Sequence, residues 1–359
     1  TITVNAGGSG YSWDGAGLII DGTGTFINND ALTINKQGVV SLSPTTEGAK
    51  LINYGTIDNY GGSFKKTSEC VYTWIVRYGG INIPDKTLSS TVTNYGTITN
   101  HPPSISSGHY YYASSGNYYF RGYAAFYNLD NYGTIANGSV VTTNCNFGII
   151  DLIGYSGIFN NYSGGTVNNY SVLFIGVDGV TCYSSTYNNY GTHNDYSETA
   201  IDYGSTFNNK SGASFNIKST GALALQAAQA ACGGASGTND GTITNSSTSN
   251  DDYKVGMYID GSSSFTNNNI IYDEGKIKNN GTFTNTTTSQ FIYKTTTGSI
   301  SGNALRYKGN ALLKYNGTDA QTTSDYEFPL STSYSPSYVE IDNSSGVSKG
   351  VTLHADRTI

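Results

Sequence analysis

The sequence has few charged residues. Only 12% of its 359 residues are Asp, Glu, Lys or Arg, whereas an average soluble domain has about 25%. The 18 Lys and Arg residues are scattered singly and the net charge is -7, so no basic stripe could neutralise phosphate groups. Nucleic acid is therefore not expected as a partner.

Long apolar runs are also missing. No stretch reaches the roughly 18 consecutive apolar residues that a membrane helix needs, so we expect no membrane insertion. The chain begins at Thr1 without a Met or a signal-peptide pattern. We therefore expect a processed or excised region.

Cysteine is scarce. Cys70, Cys145, Cys182 and Cys232 are far apart, with no Cys-x-x-Cys pair and no His at metal-binding spacing, which disfavours a zinc site. In a secreted chain they could form disulfides. The candidate pair is Cys145 with Cys182, because their interval resembles one repeat step, and buried free thiols are the alternative.

Glycine and tyrosine, by contrast, are abundant. The chain has 45 Gly and 31 Tyr and is 37% hydrophobic, which gives it enough apolar surface to bury a core. One motif, apolar-x-Asn-x-Gly-Thr-apolar-x-Asn, recurs along the sequence. Clear copies span 52–59, 92–100 and 129–137, and looser copies span 159–169, 187–194, 207–216, 239–245 and 277–285.

Each copy alternates apolar and polar residues on both sides of a corner that contains Asn and Gly. Alternation of period two predicts short half-buried strands, and Asn and Gly tolerate the left-handed backbone angles of a sharp turn. The irregular intervals favour stacked coils over an antiparallel sandwich, whose strands recur about every 8–12 residues. We therefore predict an all-β fold, a right-handed parallel β-solenoid with Asn ladders along the stack. One apolar row would comprise Ile57, Ile98, Ile135, Val167, Phe215, Ile243 and Phe283.

Two stretches depart from the motif. Residues 104–128 are rich in Tyr, Gly and Ser and indicate an insertion whose tyrosines either contact glycan or protein, or shield neighbouring coils. Residues 221–232 are rich in Ala and Leu and predict either a short helix or a small-residue strand. The candidate contact residues are Tyr110, Tyr111, Tyr112, Tyr118, Tyr119 and Tyr123.

Strands are also predicted at Thr1 to Val4 and at Gly350 to His354. The outermost strands of a solenoid present unpaired edges, which makes them candidates for assembly by strand addition. The candidate assembly residues are Ile2, Val4, Val351 and Leu353. Truncation of a longer chain is the alternative explanation of the uncapped C-terminal strand.

The Asn-Tyr-Gly-Thr-Ile copies at 53–57, 94–98 and 131–135 resemble the coils of haemagglutinin-like and autotransporter-type adhesins. The segments 311–318, 327–329, 339–347 and 351–353 resemble repeat modules of large secreted bacterial surface proteins. The resemblance implies a parallel β-solenoid at a cell surface, and it carries no specific activity. In that family another strand usually follows the segment matching 354–359, and here none does.

Patterns for catalysis are not found. The adjacent acidic pairs, Asp251-Asp252 and Asp273-Glu274, lie in polar contexts that predict solvated loops and not the paired carboxylates of a glycosidase. The four histidines, at 101, 109, 193 and 354, are isolated, and no nucleophile elbow or phosphate loop occurs. We expect no enzymatic activity, no metal and no cofactor.

Asn-x-Ser/Thr triplets mark candidate glycosylation sites if the producing cell attaches N-glycans. They occur at Asn137, Asn161, Asn169, Asn209, Asn245, Asn280, Asn285, Asn316 and Asn343.

These features together predict a β-solenoid over residues 1–300 and a C-terminal β module over 301–359 that completes or caps the stack. The expected protein is secreted or exposed at a cell surface, structural or adhesive, and self-associates into a filament or joins other surface modules through its terminal strands. A monomeric adhesin stalk that binds glycan or protein is the first alternative. A polysaccharide-degrading β-helix enzyme or a phage tailspike is the second.

Overall fold

A computed structural model gives the fold of the chain. The structure describes residues 1–4, 17–35, 38–43, 45–61, 63–68, 71–78, 80–82, 89–101, 110–112, 116–120, 123–138, 149–152, 156–176, 184–226, 232–249, 255–295, 299–330, 333–344 and 350–356. Within 63–78, 82, 110–125 and 149–152, only the backbone is described. The chain forms two compact units, Thr1–Val177 and Asp178–Ile359.

Unit 1 consists of short strands. They are β1 (Ile2–Val4), β2 (Leu18–Ile20), β3 (Thr25–Asn28), β4 (Ala31–Ile34), β5 (Val39–Leu42), β6 (Lys50–Asn53), β7 (Thr56–Asn59), β8 (Ser63–Ser68), β9 (Val71–Tyr78), β10 (Gly80–Asn82), β11 (Thr91–Asn94), β12 (Thr97–Asn100), β13 (Tyr110–Tyr112), β14 (Gly116–Phe120), β15 (Tyr123–Phe126), β16 (Asn128–Asn131), β17 (Thr134–Asn137), β18 (Ile149–Leu152), β19 (Ile158–Asn161), β20 (Thr166–Asn169) and β21 (Val172–Ile175).

Unit 2 is built in the same way. Its strands are β22 (Thr186–Asn189), β23 (Thr192–Asp195), β24 (Glu198–Ile201), β25 (Thr206–Asn209), β26 (Ser214–Ile217), β27 (Ala222–Leu225), β28 (Ser236–Asn239), β29 (Thr242–Asn245), β30 (Gly256–Ile259), β31 (Ser264–Asn267), β32 (Ile270–Asp273), β33 (Ile277–Asn279), β34 (Thr282–Asn285), β35 (Gln290–Tyr293), β36 (Ile300–Gly302), β37 (Arg306–Tyr307), β38 (Leu312–Tyr315), β39 (Gln321–Thr322), β40 (Tyr338–Ile341) and β41 (Val351–Thr352).

The strands of each unit stack into parallel sheets. In unit 1, sheet I has the order β1-β4-β7-β12-β17-β20, sheet II β2-β5-β10-β15-β18-β21, and sheet III β3-β6-β11-β16-β19. In unit 2, sheet IV is β23-β26-β29-β32-β35-β38-β40, sheet V is β24-β27-β30-β33-β36, and sheet VI is β22-β25-β28-β31-β34-β37. Each coil contributes one strand to every sheet and pairs in parallel with the coils before and after it. This confirms the predicted parallel β-solenoid.

Alternation along the strands buries one face. In sheet I, Ile57 pairs with Ile98 and Ile98 with Ile135, and all three are at most 1% exposed. The residues on either side of each isoleucine along its own strand face outward. Val167 continues the predicted row in unit 1, and Phe215 and Ile243 pair with each other in sheet IV of unit 2. The core therefore lies between the sheets, one apolar row to each strand position.

Phe283 does not belong to that row. It lies in sheet VI, paired with Phe265, whereas Phe215 and Ile243 lie in sheet IV. The motif copy at 277–285 connects β33 of sheet V to β34 of sheet VI, and the copy at 239–245 connects sheet VI to sheet IV. The same sequence motif therefore serves two different corners.

Buried asparagines form hydrogen-bonded ladders, as the sequence predicts. At the end of the sheet III strands, Nδ2 of each Asn donates to Oδ1 of the Asn one coil on, over distances of 2.7–2.8 Å. Sheet VI carries an equivalent ladder with distances of 2.8–2.9 Å. The members are Asn28, Asn53, Asn94, Asn131 and Asn161 in unit 1, and Asn189, Asn209, Asn239, Asn267 and Asn285 in unit 2.

The corner glycines are required for a different reason than the sequence suggests. Gly55, Gly96 and Gly133 do not have φ angles in the left-handed region. A Cβ on Gly96 would overlap the carbonyl oxygen of Gly55, and a Cβ on Gly133 would overlap that of Gly96. The corners of successive coils therefore approach too closely for any side chain larger than hydrogen.

Four strands of unit 1 leave the solenoid and form a separate antiparallel sheet of order β13-β14-β8-β9. β8 and β9 follow β7, and β13 and β14 follow β12, so two coils contribute strands from the same corner. The chain rejoins the solenoid at β15, which pairs with β10 and β18 in sheet II.

In unit 2, residues 222–225 are a strand and not a helix. β27 pairs in register with β24 and β30, and its residues are fully buried. Sheets IV and V continue across residues 300 and 301, since β36 pairs with β33 and β38 with β35. After Tyr315, β40 still extends sheet IV, whereas β39 and β41 form a two-stranded parallel sheet of their own.

Candidate interaction surface

The Asn-Tyr-Gly corners between sheets III and I determine where the tyrosines lie. The Asn side chain enters the ladder and the Gly packs against the coil below, so the residue between them can only point outward. In the three clear copies that residue is Tyr54, Tyr95 and Tyr132, with exposed fractions of 54%, 47% and 40%. Parallel in-register pairing places these side chains directly above one another.

The corner tyrosines form one continuous stack. Ring centroids of Tyr54 and Tyr95, and of Tyr95 and Tyr132, are 4.9 Å apart, and Tyr162 extends the stack with a centroid distance of 4.3 Å from Tyr132. The interplanar angles are 6°, 14° and 5°. Each ring therefore lies nearly parallel to the next. We call this row, Tyr54, Tyr95, Tyr132 and Tyr162, the tyrosine stack.

A second aromatic contact lies at the next corner of the same coils. The rings of Tyr60 and His101 are stacked with centroids 4.0 Å apart, and His101 Nε2 is 2.8 Å from Oδ1 of Asp58. Burial, with the nearby Asp58 carboxylate, raises the pKa of the Tyr60 hydroxyl. His101, isolated in sequence, is thus joined in space to an aromatic ring and a carboxylate.

The remaining histidines have varied surroundings. His193 is fully buried, stacked on Phe215 at 4.3 Å, and its Nδ1 is 2.7 Å from the Tyr187 hydroxyl. His354 Nε2 is 2.9 Å from Oδ1 of Asp325 at the surface. His109 lies outside the described residues. His193 therefore fills a core position that other coils give to an aliphatic or phenyl side chain.

The acidic pair Asp273-Glu274 does not lie in the solvated loop that the sequence predicts, because one of its two residues is buried. Asp273 ends β32 and is fully buried, accepting hydrogen bonds from Nδ2 of Asn245 at 2.8 Å and from Oγ of Ser299 at 3.3 Å. Burial raises its pKa to about 7. Glu274 is exposed and pairs with Lys294 at 2.7 Å. The prediction was wrong for Asp273, because the residue takes a ladder position; Asp251 and Asp252 lie outside the described residues.

A buried polar cluster lies beyond Asp273 in unit 2. Glu327 is fully buried and accepts hydrogen bonds from the backbone and hydroxyl of Ser324 and, at 3.3 Å, from the Tyr315 hydroxyl. Burial raises the pKa of the Glu327 carboxyl and, with the nearby Glu327, that of the Tyr315 hydroxyl. The sequence motifs did not predict this cluster, because Tyr315, Ser324 and Glu327 lie after the last copy of the repeat at 277–285.

The candidate contact tyrosines at 110, 111, 112, 118, 119 and 123 fall where only the backbone is described. Tyr110–Tyr112 form β13, Tyr118 and Tyr119 lie in β14, and Tyr123 begins β15. Whether they contact a ligand stays a prediction. The tyrosine stack was missed, although the recurrence of Tyr between Asn and Gly was the available signal.

The candidate glycosylation sites divide by burial. Asn280 is exposed, and Asn316 and Asn343 are half-buried. The others are at most 1% exposed within the ladders or strands, namely Asn137, Asn161, Asn169, Asn209, Asn245 and Asn285. Since a buried amide cannot be reached by a modifying enzyme, the folded chain offers Asn280, Asn316 and Asn343 as the accessible positions.

The candidate assembly strands lie at sheet edges. β1 is the edge strand of sheet I, where Ile2 is largely exposed and Val4 is buried. Val351 lies in β41, paired with β39, and Leu353 is exposed just after it. Cys232 is disulfide-bonded, whereas Cys70 and the candidate pair, Cys145 and Cys182, lie outside the described residues.

The described residues hold no group of His, Cys, Asp or Glu side chains that could bind a metal ion. Nor do they include a helix with the length and hydropathy needed to cross a bilayer.

Comparison with known proteins yields no relative, since no family model, no curated protein and no solved structure matches the chain.

Proposed function

We propose that this protein is an extracellular structural subunit that assembles into a filament by adding a strand to the open edge of β40. The observation that carries the proposal is that β40 is the outermost strand of sheet IV among the described residues and leaves an apolar side chain exposed. β40 pairs with β38 on one side, with Val339 opposite Leu313 and Ile341 opposite Tyr315. Leu313 and Tyr315 are at most 1% exposed, whereas Ile341 is 61% exposed.

Strand β1 of a second copy is the proposed occupant of this edge. β1 is itself an edge strand whose alternating Ile2 and Val4 pair in parallel with Leu32 and Ile34 of β4. The same alternation would place Ile2 and Val4 over Val339 and Ile341. Joining two different surfaces of identical subunits is a heterologous contact, which repeats without closing when the rotation does not close a ring.

The disulfide at Cys232 supports an extracellular location, because disulfides persist in oxidising compartments. The ladders support a mechanical role, because each buried amide ties its coil to the next by side-chain as well as backbone hydrogen bonds. A pull along the stack is therefore shared among many interactions. Adhesion is the alternative function, with the Tyr-rich strands β13 and β14 as its candidate surface.

Electron microscopy and analytical ultracentrifugation of the purified chain test the proposal. The informative variant is Ile341→Lys, which places a charge in the proposed contact. Leu330→Lys is its matched control, because Leu330 is 62% exposed and lies off the edge strand. We expect filaments from the wild type and from Leu330→Lys but not from Ile341→Lys.

Two results would count against the filament. Monomeric wild-type protein that binds a glycan or protein saturably would favour the adhesin. Release of soluble product from a polysaccharide panel would favour the enzyme or tailspike.

A further inference from the structure

We infer that the tyrosine stack is a site of oxidative cross-linking, at which dityrosine bonds join successive coils of unit 1. The inference does not rest on filament assembly, since every residue it uses lies within one chain. Its first support is spacing. Neighbouring rings have centroids 4.3–4.9 Å apart, close to the separation of two directly bonded aromatic rings.

The second support is access to solvent. Tyr54, Tyr95 and Tyr132 are between 40% and 54% exposed, so their side chains are open to a small oxidant in solution. By contrast, three tyrosines in the core of unit 2, Tyr187, Tyr293 and Tyr315, are at most 1% exposed. The tyrosine stack therefore combines close contact between rings with exposure of the side chains to solvent.

The third support is the backbone beneath the rings. The tyrosines follow ladder residues Asn53 and Asn94, whose side chains are 2.8 Å apart, and precede Gly55 and Gly96, which pack against each other. The attachment points of the rings are therefore fixed one coil apart. Coupling then needs the stacked rings to turn side by side, so that two ring carbons can form a bond.

The chemistry requires a peroxide as oxidant, with a peroxidase to activate it. Each of two phenols loses one electron and its hydroxyl proton, and hydrogen peroxide takes up both electrons and both protons to give two molecules of water. The two phenoxyl radicals then form a carbon–carbon bond between ring carbons ortho to the oxygens. The hydrogen on each coupled carbon moves to its own oxygen, which restores both phenols.

The test treats the full chain with a peroxidase and hydrogen peroxide at high dilution. The monomer is isolated, digested, and analysed for linked peptides by mass spectrometry. We expect links between Tyr54 and Tyr95, between Tyr95 and Tyr132, and between Tyr132 and Tyr162. Their yield should fall severalfold when the same reaction is run on the chain unfolded in denaturant.

Tyr95→Phe is the discriminating variant, because it keeps the ring but removes the phenol. It should abolish both links that contain residue 95 and retain the link between Tyr132 and Tyr162. Tyr338→Phe is the control, since Tyr338 is 55% exposed and has no ring partner in the described part of the chain; it should leave all three links unchanged. Links distributed among tyrosines according to exposure alone, or equal stack links in the folded and unfolded chain, would overturn the inference.

Discussion

Replacing one ladder asparagine should destabilise unit 1 far more than replacing its outward neighbour. Asn94 is fully buried. Its Nδ2 donates to Asn131 Oδ1 at 2.8 Å and to the Thr134 carbonyl at 3.1 Å, and its Oδ1 accepts from Asn53 at 2.8 Å. Asn94→Ala removes these bonds and leaves a void.

The magnitude follows from which groups lose their partners. Asn131 Oδ1 loses the Nδ2 donor of Asn94, and an unpaired buried acceptor costs about 1–3 kcal/mol. Asn53 is affected less, because its Nδ2 also donates to the carbonyls of Gly55 and Thr97, each at 3.1 Å. Adding the void, we expect a loss of about 2–4 kcal/mol in the free energy of unfolding.

Thr93→Ala is the matched control. Thr93 precedes Asn94 on the same strand but faces outward and is half-buried, so its truncation should cost about 0.5 kcal/mol or less. Urea unfolding followed by circular dichroism gives both values. Hydrogen exchange should show faster opening of β11 and β16 in Asn94→Ala. Equal losses in the two variants would refute the view that the ladder stabilises the stack.

Two further predictions concern the corner glycines and a buried carboxyl. Gly96→Ala should destabilise unit 1 by about 3 kcal/mol in a urea titration, because the new Cβ overlaps the Gly55 carbonyl. Gly350→Ala, with open space around it, is the control, and an equal loss in both variants would show that close approach of the corners is not the cause. Burial raises the pKa of Asp273 from the ordinary value of 3.8 to about 7 in the folded chain, so between these pH values the folded state binds a proton that the unfolded state releases. The free energy of unfolding should therefore fall as pH rises from about 4 to about 7, by on the order of 1 kcal/mol per pH unit. Asp273→Asn should flatten this dependence in thermal melts at several pH values and raise stability at neutral pH; an unchanged slope would refute it.

The repeat predicted the solenoid because its two signals are local. Alternation of apolar and polar residues sets which face of each strand is buried, and Asn in a fixed place sets the ladder. Ile57, Ile98 and Ile135 could therefore be assigned to one row from sequence. Phe283 could not, because identical corner motifs occur between different sheets and only the count of strands along the chain separates them.

Other features depend on contacts between coils, which a single repeat does not encode. The reason for Gly96 is a carbonyl on the preceding coil, and the reason for a buried Asp273 is the Asn245 amide one coil earlier. The tyrosine stack needs both register and outward direction. The close approach at Gly96, the burial of Asp273 and the tyrosine stack therefore could not be predicted from the sequence of a single coil.

The ladder and the tyrosine stack act on the same interfaces from opposite sides of the backbone. Asn53 and Asn94 hold two coils together inside the core, while Tyr54 and Tyr95, the next residues along, meet outside it. In a stack where each coil contacts only its neighbours, stability is close to a sum over interfaces. A bond between Tyr54 and Tyr95 would therefore secure one of the two interfaces that Asn94→Ala weakens, the one between Asn53 and Asn94, and would leave the other interfaces as they were. Because the corner sequence repeats, the chain applies this paired inner and outer connection at successive coils, which distributes resistance to unfolding along unit 1.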